Sequence, residues 1–519
     1  MTPGGRAPGH YLPVLLAIMA VGLALRLWLA LTTTFLWDEE REWIPVALSI
    51  SLGGGETHLP LRTDYHGALA AYFIRAGQVL LGDSHLAFRI GGILAGTATV
   101  AVVAAIARRV AGPRAALAAA AIIAIAEFPV MMSTVAIQTS YYLLAEALAL
   151  LFFLRLAETR RAAWFYATAV AAAVGFLTYE VGALLLPVLV AVALLPENRW
   201  MWRSPHLYLA GLAGLALILP DLLASAAPAE GGDGYDKLLE RFGSLGFKPV
   251  YLAFLFRATL ELAYLRLSGR ASPSEGSEYA AMNDLFGLLL VLGLLFGLWR
   301  LVRAGRGQER TALALLCGVF LFVLAFFLLI EPPASNPVAH WVWVGVVLLP
   351  GAVLAGRLAG LPGRAGLAGQ GMLAVACLLA LVTVPATRLG MDSRSVRLVP
   401  ELLTALDGRM QEVTAHFDWC DLCAPAPAPV LAALSVETGG DLGPAPVADV
   451  EGADTSSADP AFALRSVPPE GKPGWMTRIY VAGYDFPDGA GGIRRVEGRA
   501  YVPKEPALTW PEVFWTNAP

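Results

Sequence analysis

The chain has 519 residues, of which 57% are hydrophobic and 15% charged, with a net charge of −4 and a mean hydropathy of +0.62. Soluble domains sit near roughly 45–50% apolar and about 25% charged, so a soluble enzyme and a disordered chain are excluded. With no excess of basic residues, so is a nucleic-acid binder. The composition is that of a polytopic membrane protein.

A membrane-spanning helix takes about 20 predominantly apolar residues. Eleven stretches approach that length, near 11–36, 86–107, 115–133, 135–154, 162–179, 181–196, 206–226, 284–302, 311–331, 338–357 and 370–388. Basic residues in short loops set the orientation. With the N-terminus inside, the cytoplasmic loops hold 15 basic residues, all Arg, against three acidic ones, Glu158, Glu197 and Glu309. The first outside loop, residues 37–88, holds seven acidic and three basic residues. A cleaved signal peptide is the alternative for the first stretch, but its apolar run is long for one and its leader carries only Arg6.

Three regions are expected outside. The first, residues 37–85, carries two helical patterns suited to the interface plane: Trp43, Val46, Ala47, Ile50, then Leu69, Tyr72, Phe73, Leu80. The second, residues 227–283, is Gly- and acid-rich with an apolar stretch at 249–265. The third is a C-terminal region, 389–519, with a helix-like start at 399–413, a Pro/Ala/Gly-rich linker near 424–460 and a strand-like alternation at 475–484. It reads as a small external domain, α/β or irregular, appended to a transmembrane domain of residues 1–388.

Cys317 and Cys377 lie in apolar runs and read as packing residues. Cys420 and Cys423 form one Cys-x-x-Cys pair, short of the four ligands of a structural zinc site and better suited to a disulfide outside the cytoplasm.

The densest candidate for chemistry is Trp37-Asp38-Glu39-Glu40-Arg41-Glu42, four carboxylates within five positions at the outer end of the first span. Headgroup depth desolvates a carboxylate and raises its basicity, and the loop that follows is long enough to roof it. Arg26, Arg89, Glu127, Glu146 and Asp221 fall inside apolar stretches, where ionisable residues face a cavity or a partner. Arg26 is expected either to pair with Glu146 or to line a path for a lipid phosphate. Cations able to meet an anionic ligand outside are Arg62, Arg75, Lys237, Arg241, Lys248, Arg257, Arg266 and Arg270. The two lysines stand out because the chain has four Lys and 33 Arg.

The order of motifs resembles the polytopic glycosyltransferases of the GT-C superfamily, above all the protein O-mannosyltransferases and the aminoarabinose–lipid A transferases. The resemblance rests on Arg26-Leu27 and Trp37-Asp38-Glu39, then Tyr65-His66-Gly67-Ala68-Leu69, Leu81-Gly82-Asp83-Ser84 and Ala87-Phe88-Arg89-Ile90. Gly175-Phe176-Leu177-Thr178, Leu184 to Pro187, and His340 to Pro350 continue it over roughly residues 20–360. The chain departs from the pattern at Val135 to Ser140, where many relatives carry a second carboxylate. It also has Gly67-Ala68 in place of Pro-Pro, and Glu180 where Lys is common.

The resemblance implies an all-α GT-C-like fold and transfer of a sugar from a polyprenyl-phosphate carrier to an acceptor hydroxyl of a protein, lipid or glycan at the outer face. It implies Asp38 as the base, Glu39 as its partner or substitute, and inversion at the anomeric carbon. Substrate contacts are expected from Arg62, Tyr65, His66, Arg89, Lys237, Arg241, Lys248 and His340. No cofactor is certain from the sequence; a divalent cation is left open, with His66 either its ligand or a group that orients the acceptor. The Arg-over-Lys, Ala-rich composition points to the inner membrane of a GC-rich bacterium. Two other classes remain: a transporter or flippase of lipid-linked sugars, which calls for inverted repeats that the sequence lacks, and a non-catalytic membrane scaffold.

Overall fold

The computed structural model describes residues 10–32, 43, 46–47, 49–50, 59–61, 67–82, 85–226, 277–329 and 337–391, and three strands within 463–503. Each of the expected apolar stretches contains a helix among the described residues. Helix α1 is Tyr11–Thr32, α2 is Leu69–Leu81, α3 is His85–Ala111, α4 is Pro113–Ile125, α5 is Glu127–Thr134, α6 is Thr139–Thr159 and α7 is Ala163–Thr178. A 3₁₀ turn, Glu180–Leu184, opens α8, Leu185–Ala193, and a second 3₁₀ helix, Pro196–Arg203, precedes α9, Pro205–Ala226. Helices α10 (Ser277–Arg303), α11 (Gln308–Leu329), α12 (Pro337–Ala359) and α13 (Arg364–Met391) complete the bundle. Five helices are by themselves long and apolar enough to cross a membrane, and two bent pairs raise that to seven, among the described residues. The remainder of the eleven expected stretches are shorter or partly described helices.

The perimeter suits a lipid solvent. Leu209, Leu212 and Leu223 of α9 and Leu12, Leu16 and Leu31 of α1 are exposed, as expected where hydrocarbon replaces water. Inside, small residues let helices approach closely: a Cβ on Gly356 of α12 would lie 2.4 Å from the carbonyl oxygen of Ala115 in α4.

The amphipathic patterns of the first outside loop have different outcomes. Trp43, Ala47 and Ile50 are buried as the spacing predicts. The helix expected around Leu69–Leu80 forms, but its buried face is Ala70, Ala71, Ile74 and Gly77, while Phe73 and Leu80 are exposed. Small residues and Ile74 make the contact with the bundle, while Val79, Leu80 and Leu81 are exposed, as suits a helix beside a bilayer.

At the basic end the carboxylates lie near arginines of other elements, although both Glu197 oxygens are buried without a hydrogen-bond partner among the described residues. Glu309 accepts from Arg300 at 2.6 Å and Arg357 at 2.5 Å. Glu158 lies 3.6 Å from Arg109 and 4.0 Å from Arg155, and Glu197 lies 4.0 Å from Arg310. The three acidic residues of the expected cytoplasmic loops therefore tie neighbouring helices together. Cys317 is buried, and Cys317 and Cys377 are free thiols, as expected of packing residues.

In the C-terminal region the strand-like alternation is β2, Met476–Pro487, the centre of an antiparallel sheet in the order β1-β2-β3 with Ala463–Val467 and Ile493–Pro503. Tyr480 pairs with Ser466 on one side and Ala500 on the other. The expected helix at 399–413, the linker near 424–460, Cys420 and Cys423 lie outside the described residues, as does the stretch 249–265 of the second outside loop.

Candidate functional site

The interior of the bundle is organised by a break in one span. Pro129 has no N–H for the carbonyl of Ile125, and Ala126 adopts an extended conformation (φ −57°, ψ 141°). The span therefore bends by 52° between α4 and α5. The break frees backbone carbonyls in the membrane interior, where each must find a donor. Arg26 of α1 supplies them. Its fully buried guanidinium donates from Nε to Ser133 Oγ at 2.7 Å. Nη1 donates to the carbonyls of Gly22 and Ala124 at 2.9 and 3.0 Å, and Nη2 to those of Ile123 and Pro129 at 3.0 and 3.3 Å. All five donors of the side chain are used. Gly96 makes room, since a Cβ there would lie 2.5 Å from that of Ser133. The expected Arg26–Glu146 pair is thus not formed: a kink's free carbonyls outcompete a carboxylate two elements away.

Beyond the break, α6 begins in a run of polar groups. Gln138 Oε1, Ser140 Oγ and Tyr141 Oη are buried without a hydrogen-bond partner among the described residues, and the buried Glu146 carboxylate has the Tyr142 hydroxyl as its neighbour. The rings of Tyr142 and Tyr179 meet edge-on at 5.8 Å, and Tyr142 lies one turn before Glu146 on the same face of α6. Buried unpaired polar atoms are costly, and in a membrane bundle they mark places that handle polar ligands or protons. Sequence reading singled out Glu146 by its depth and missed Tyr142 and Tyr179; the Tyr142–Glu146 i,i+4 spacing was the available signal.

The end of the bundle opposite the basic one meets residues 59–61 and 67–82. Ala68 N–H donates to the Leu61 carbonyl at 2.9 Å, which joins the described residues on either side of 62–66. The Tyr72 hydroxyl donates to the Pro60 carbonyl at 2.9 Å, and burial pushes this phenol above its ordinary range. Gly67 presses on the end of α7 so closely that a Cβ would lie 2.4 Å from the Leu177 carbonyl oxygen. Phe73 of α2 stacks on Tyr141 of α6 at 5.0 Å. Residues 67–82 thereby meet α6 and α7.

Arg89 is buried in the first turns of α3, and its Nη1 donates to the Ala30 carbonyl near the outer end of α1 at 3.2 Å. The expected base, Asp38, follows eight positions after Ala30. Asp38 and Glu39 lie outside the described residues, bracketed by Thr32 and the buried Trp43. Arg62, Tyr65, His66, Lys237, Arg241, Lys248, Arg257, Arg266 and Arg270 also lie outside them, as does Glu331. His340 is in the first turns of α12 and Glu127 opens α5, the side chains of both outside the description. Arg75 of α2 donates to the side-chain oxygen of Gln78, within its own helix. Asp221 is buried in α9. Among the described residues no group of three or more His, Cys, Asp or Glu could hold a metal ion.

The comparisons with known proteins bear on this same segment. Among solved structures, the archaeal oligosaccharyltransferase AglB from Archaeoglobus fulgidus, in complex with an inhibitory peptide and a dolichol-phosphate, is similar with a TM-score of 0.43 and 14% identity, over 72% of this chain and 56% of that one. ArnT from Cupriavidus metallidurans bound to undecaprenyl phosphate is similar with a TM-score of 0.46 and 18% identity, over 82% of this chain and 69% of that one. The chain thus spans little more than half the oligosaccharyltransferase. None of the curated proteins matches it. Residues 65–223, from the loop before α2 into α9, match the model of the dolichyl-phosphate-mannose-protein mannosyltransferase family, which bears out over that segment the resemblance read from the motifs.

Proposed function

We propose that the chain is a membrane glycosyltransferase that moves a sugar from a polyprenyl-phosphate donor to an acceptor hydroxyl at the external face, with inversion. The observation that carries this reading is the mannosyltransferase-family match over residues 65–223. That segment holds Tyr65 and His66, buried Arg89, and the unpaired polar run of α6. In this reading Asp38 takes the proton of the acceptor hydroxyl as its oxygen attacks the anomeric carbon. The bond from that carbon to the phosphate oxygen breaks, and the polyprenyl phosphate leaves with the electron pair. Arg62, Lys237, Arg241 and Lys248 meet the charge that collects on the departing phosphate. Arg89 fixes the outer end of α1, from which the chain runs to Asp38, and Glu39 holds or replaces the base. The C-terminal region beyond residue 388 stands on the same external side, and the protein resides in a bacterial inner membrane.

The test is mass spectrometry of lipids that co-purify with the wild-type protein and with Asp38→Asn. Loss of the base traps the donor, so a polyprenyl-phosphate sugar should be enriched on the variant and its mass would name the sugar. If neither form carries an isoprenoid phosphate, the chain is a scaffold and not a transferase.

A further inference from the structure

The connection between α6 and α7 and the 3₁₀ helix Pro196–Arg203 meet at the basic end of the bundle. Arg160 ends α6 in the left-handed region at φ 54°, the one non-glycine residue with positive φ among those described. An L-residue adopts that conformation at a conformational cost. Here it carries the guanidinium over Trp200, 5.3 Å from the ring centroid. Trp200 is held in turn by the edge of Phe165 at 5.9 Å.

The 3₁₀ helix lies across the bundle, bent 106° from α8. Its side chains eclipse every third residue, so Asn198 and Met201 share the buried face. Asn198 Nδ2 donates to the Val192 carbonyl at 2.9 Å and to Thr311 Oγ1 at 3.2 Å, and Trp202 Nε1 donates to the Ala193 carbonyl at 3.0 Å. Pinned this way, the helix leaves Arg199 and Arg203 exposed beside exposed Arg160 and Arg161. The nearby carboxylates do not neutralise them, since Glu158 is turned to Arg109 and Arg155, and Glu197 to Arg310. The adjoining wall is apolar and outward-facing, with Leu194 57% and Leu209 51% exposed.

We infer that this surface binds the headgroup of an anionic phospholipid. Arg160, Arg161, Arg199 and Arg203 take the phosphate, Trp200 and Trp202 sit at the interface, and an acyl chain lies along Leu194 and Leu209. Clustered guanidiniums recognise phosphate, tryptophan anchors at headgroup depth, and the apolar wall selects a lipid over a soluble phosphate. The inference does not depend on the transferase reading.

The test uses the full-length protein in neutral detergent, titrated with dioleoylphosphatidylglycerol and, separately, dioleoylphosphatidylcholine, with bound lipid counted by native mass spectrometry. Replacing the four arginines together by Gln should weaken phosphatidylglycerol binding by at least about tenfold, with little effect on the weaker phosphatidylcholine binding. The quadruple Arg→Lys variant should retain most of the binding. Arg114→Gln with Arg364→Gln, exposed charges of the same end carried by α4 and α13, should leave it unchanged. Should the quadruple Gln variant fail to fold, Arg203→Gln alone should weaken binding about two- to threefold. Wild-type phosphatidylglycerol binding in the Gln variants, an equal loss in the control pair, or displacement of the lipid by inorganic phosphate would each overturn the inference.

Discussion

Arg26 and Ser133 lie 107 positions apart, and the Nε of one donates to the Oγ of the other at 2.7 Å. With four carbonyls on its remaining donors, Arg26 joins the helix that leads to Asp38 to the broken span that leads to the polar start of α6. Arg26→Met should therefore lower stability by at least about 3 kcal/mol, because several buried acceptors lose their donors at once. Ser133→Ala should cost about 1 kcal/mol, and the double variant should cost less than the sum. Thermal unfolding in detergent measures all three. Wild-type melting of Arg26→Met would show that the guanidinium is not what satisfies the break.

A methyl group at Gly77 tests whether α2 is seated on the bundle. Its Cβ would lie 2.2 Å from the Ala87 carbonyl oxygen, so Gly77→Ala should push α2 off α3, at about 1–3 kcal/mol. Limited proteolysis in the 59–82 segment should accelerate in the variant. Gly82→Ala, with open space around its Cβ but φ +80° and ψ −170°, should leave α2 seated and cost about 1–3 kcal/mol of backbone strain.

Glu309 serves two guanidiniums, and Arg357 is only 12% exposed. Glu309→Gln should cost about 1 kcal/mol, at the upper end for a partly exposed pair, with the difference from wild type shrinking as salt rises. Melting at low and high ionic strength checks this. A salt-independent loss would point to packing instead.

Orientation has its own test. In a background with the four native cysteines replaced, Arg306→Cys should be protected from a membrane-impermeant maleimide in intact cells, and Leu61→Cys should be labelled. The reverse pattern would invert the topology read from the arginines.

Some of these features were legible in the sequence because they are written as periodicity or as composition. Trp43, Ala47 and Ile50 keep helical spacing and are buried together. Of the apolar stretch expected at 135–154, residues 139–154 are helical. The arginine-rich loops match the end where Glu158, Glu197 and Glu309 are paired. What failed did so for physical reasons. The interfacial pattern of α2 gives its outward face, Phe73 and Leu80, but not that Ala70, Ala71, Ile74 and Gly77 are its buried face, because small residues carry little periodic signal. Of the two readings of Arg26, a pair with Glu146 or a lining for a lipid phosphate, neither includes the kink, because carbonyls released at Ala126 leave no mark in the sequence beyond Pro129. Asp38 and Glu39 were singled out by the density of carboxylates and by motif order, and their assignment as base and partner stands as a proposal for chemistry to decide.

The most direct measurement of the central claim is release of polyprenyl phosphate from a polyprenyl-phosphate hexose by the purified chain in proteoliposomes, compared with Asp38→Asn. The account predicts acceptor-dependent release by the wild type and at least about a hundredfold less by the variant, with donor binding retained. Equal release by both forms would remove Asp38 as the base, and no release by the wild type with any lipid-linked sugar would contradict the transferase reading itself.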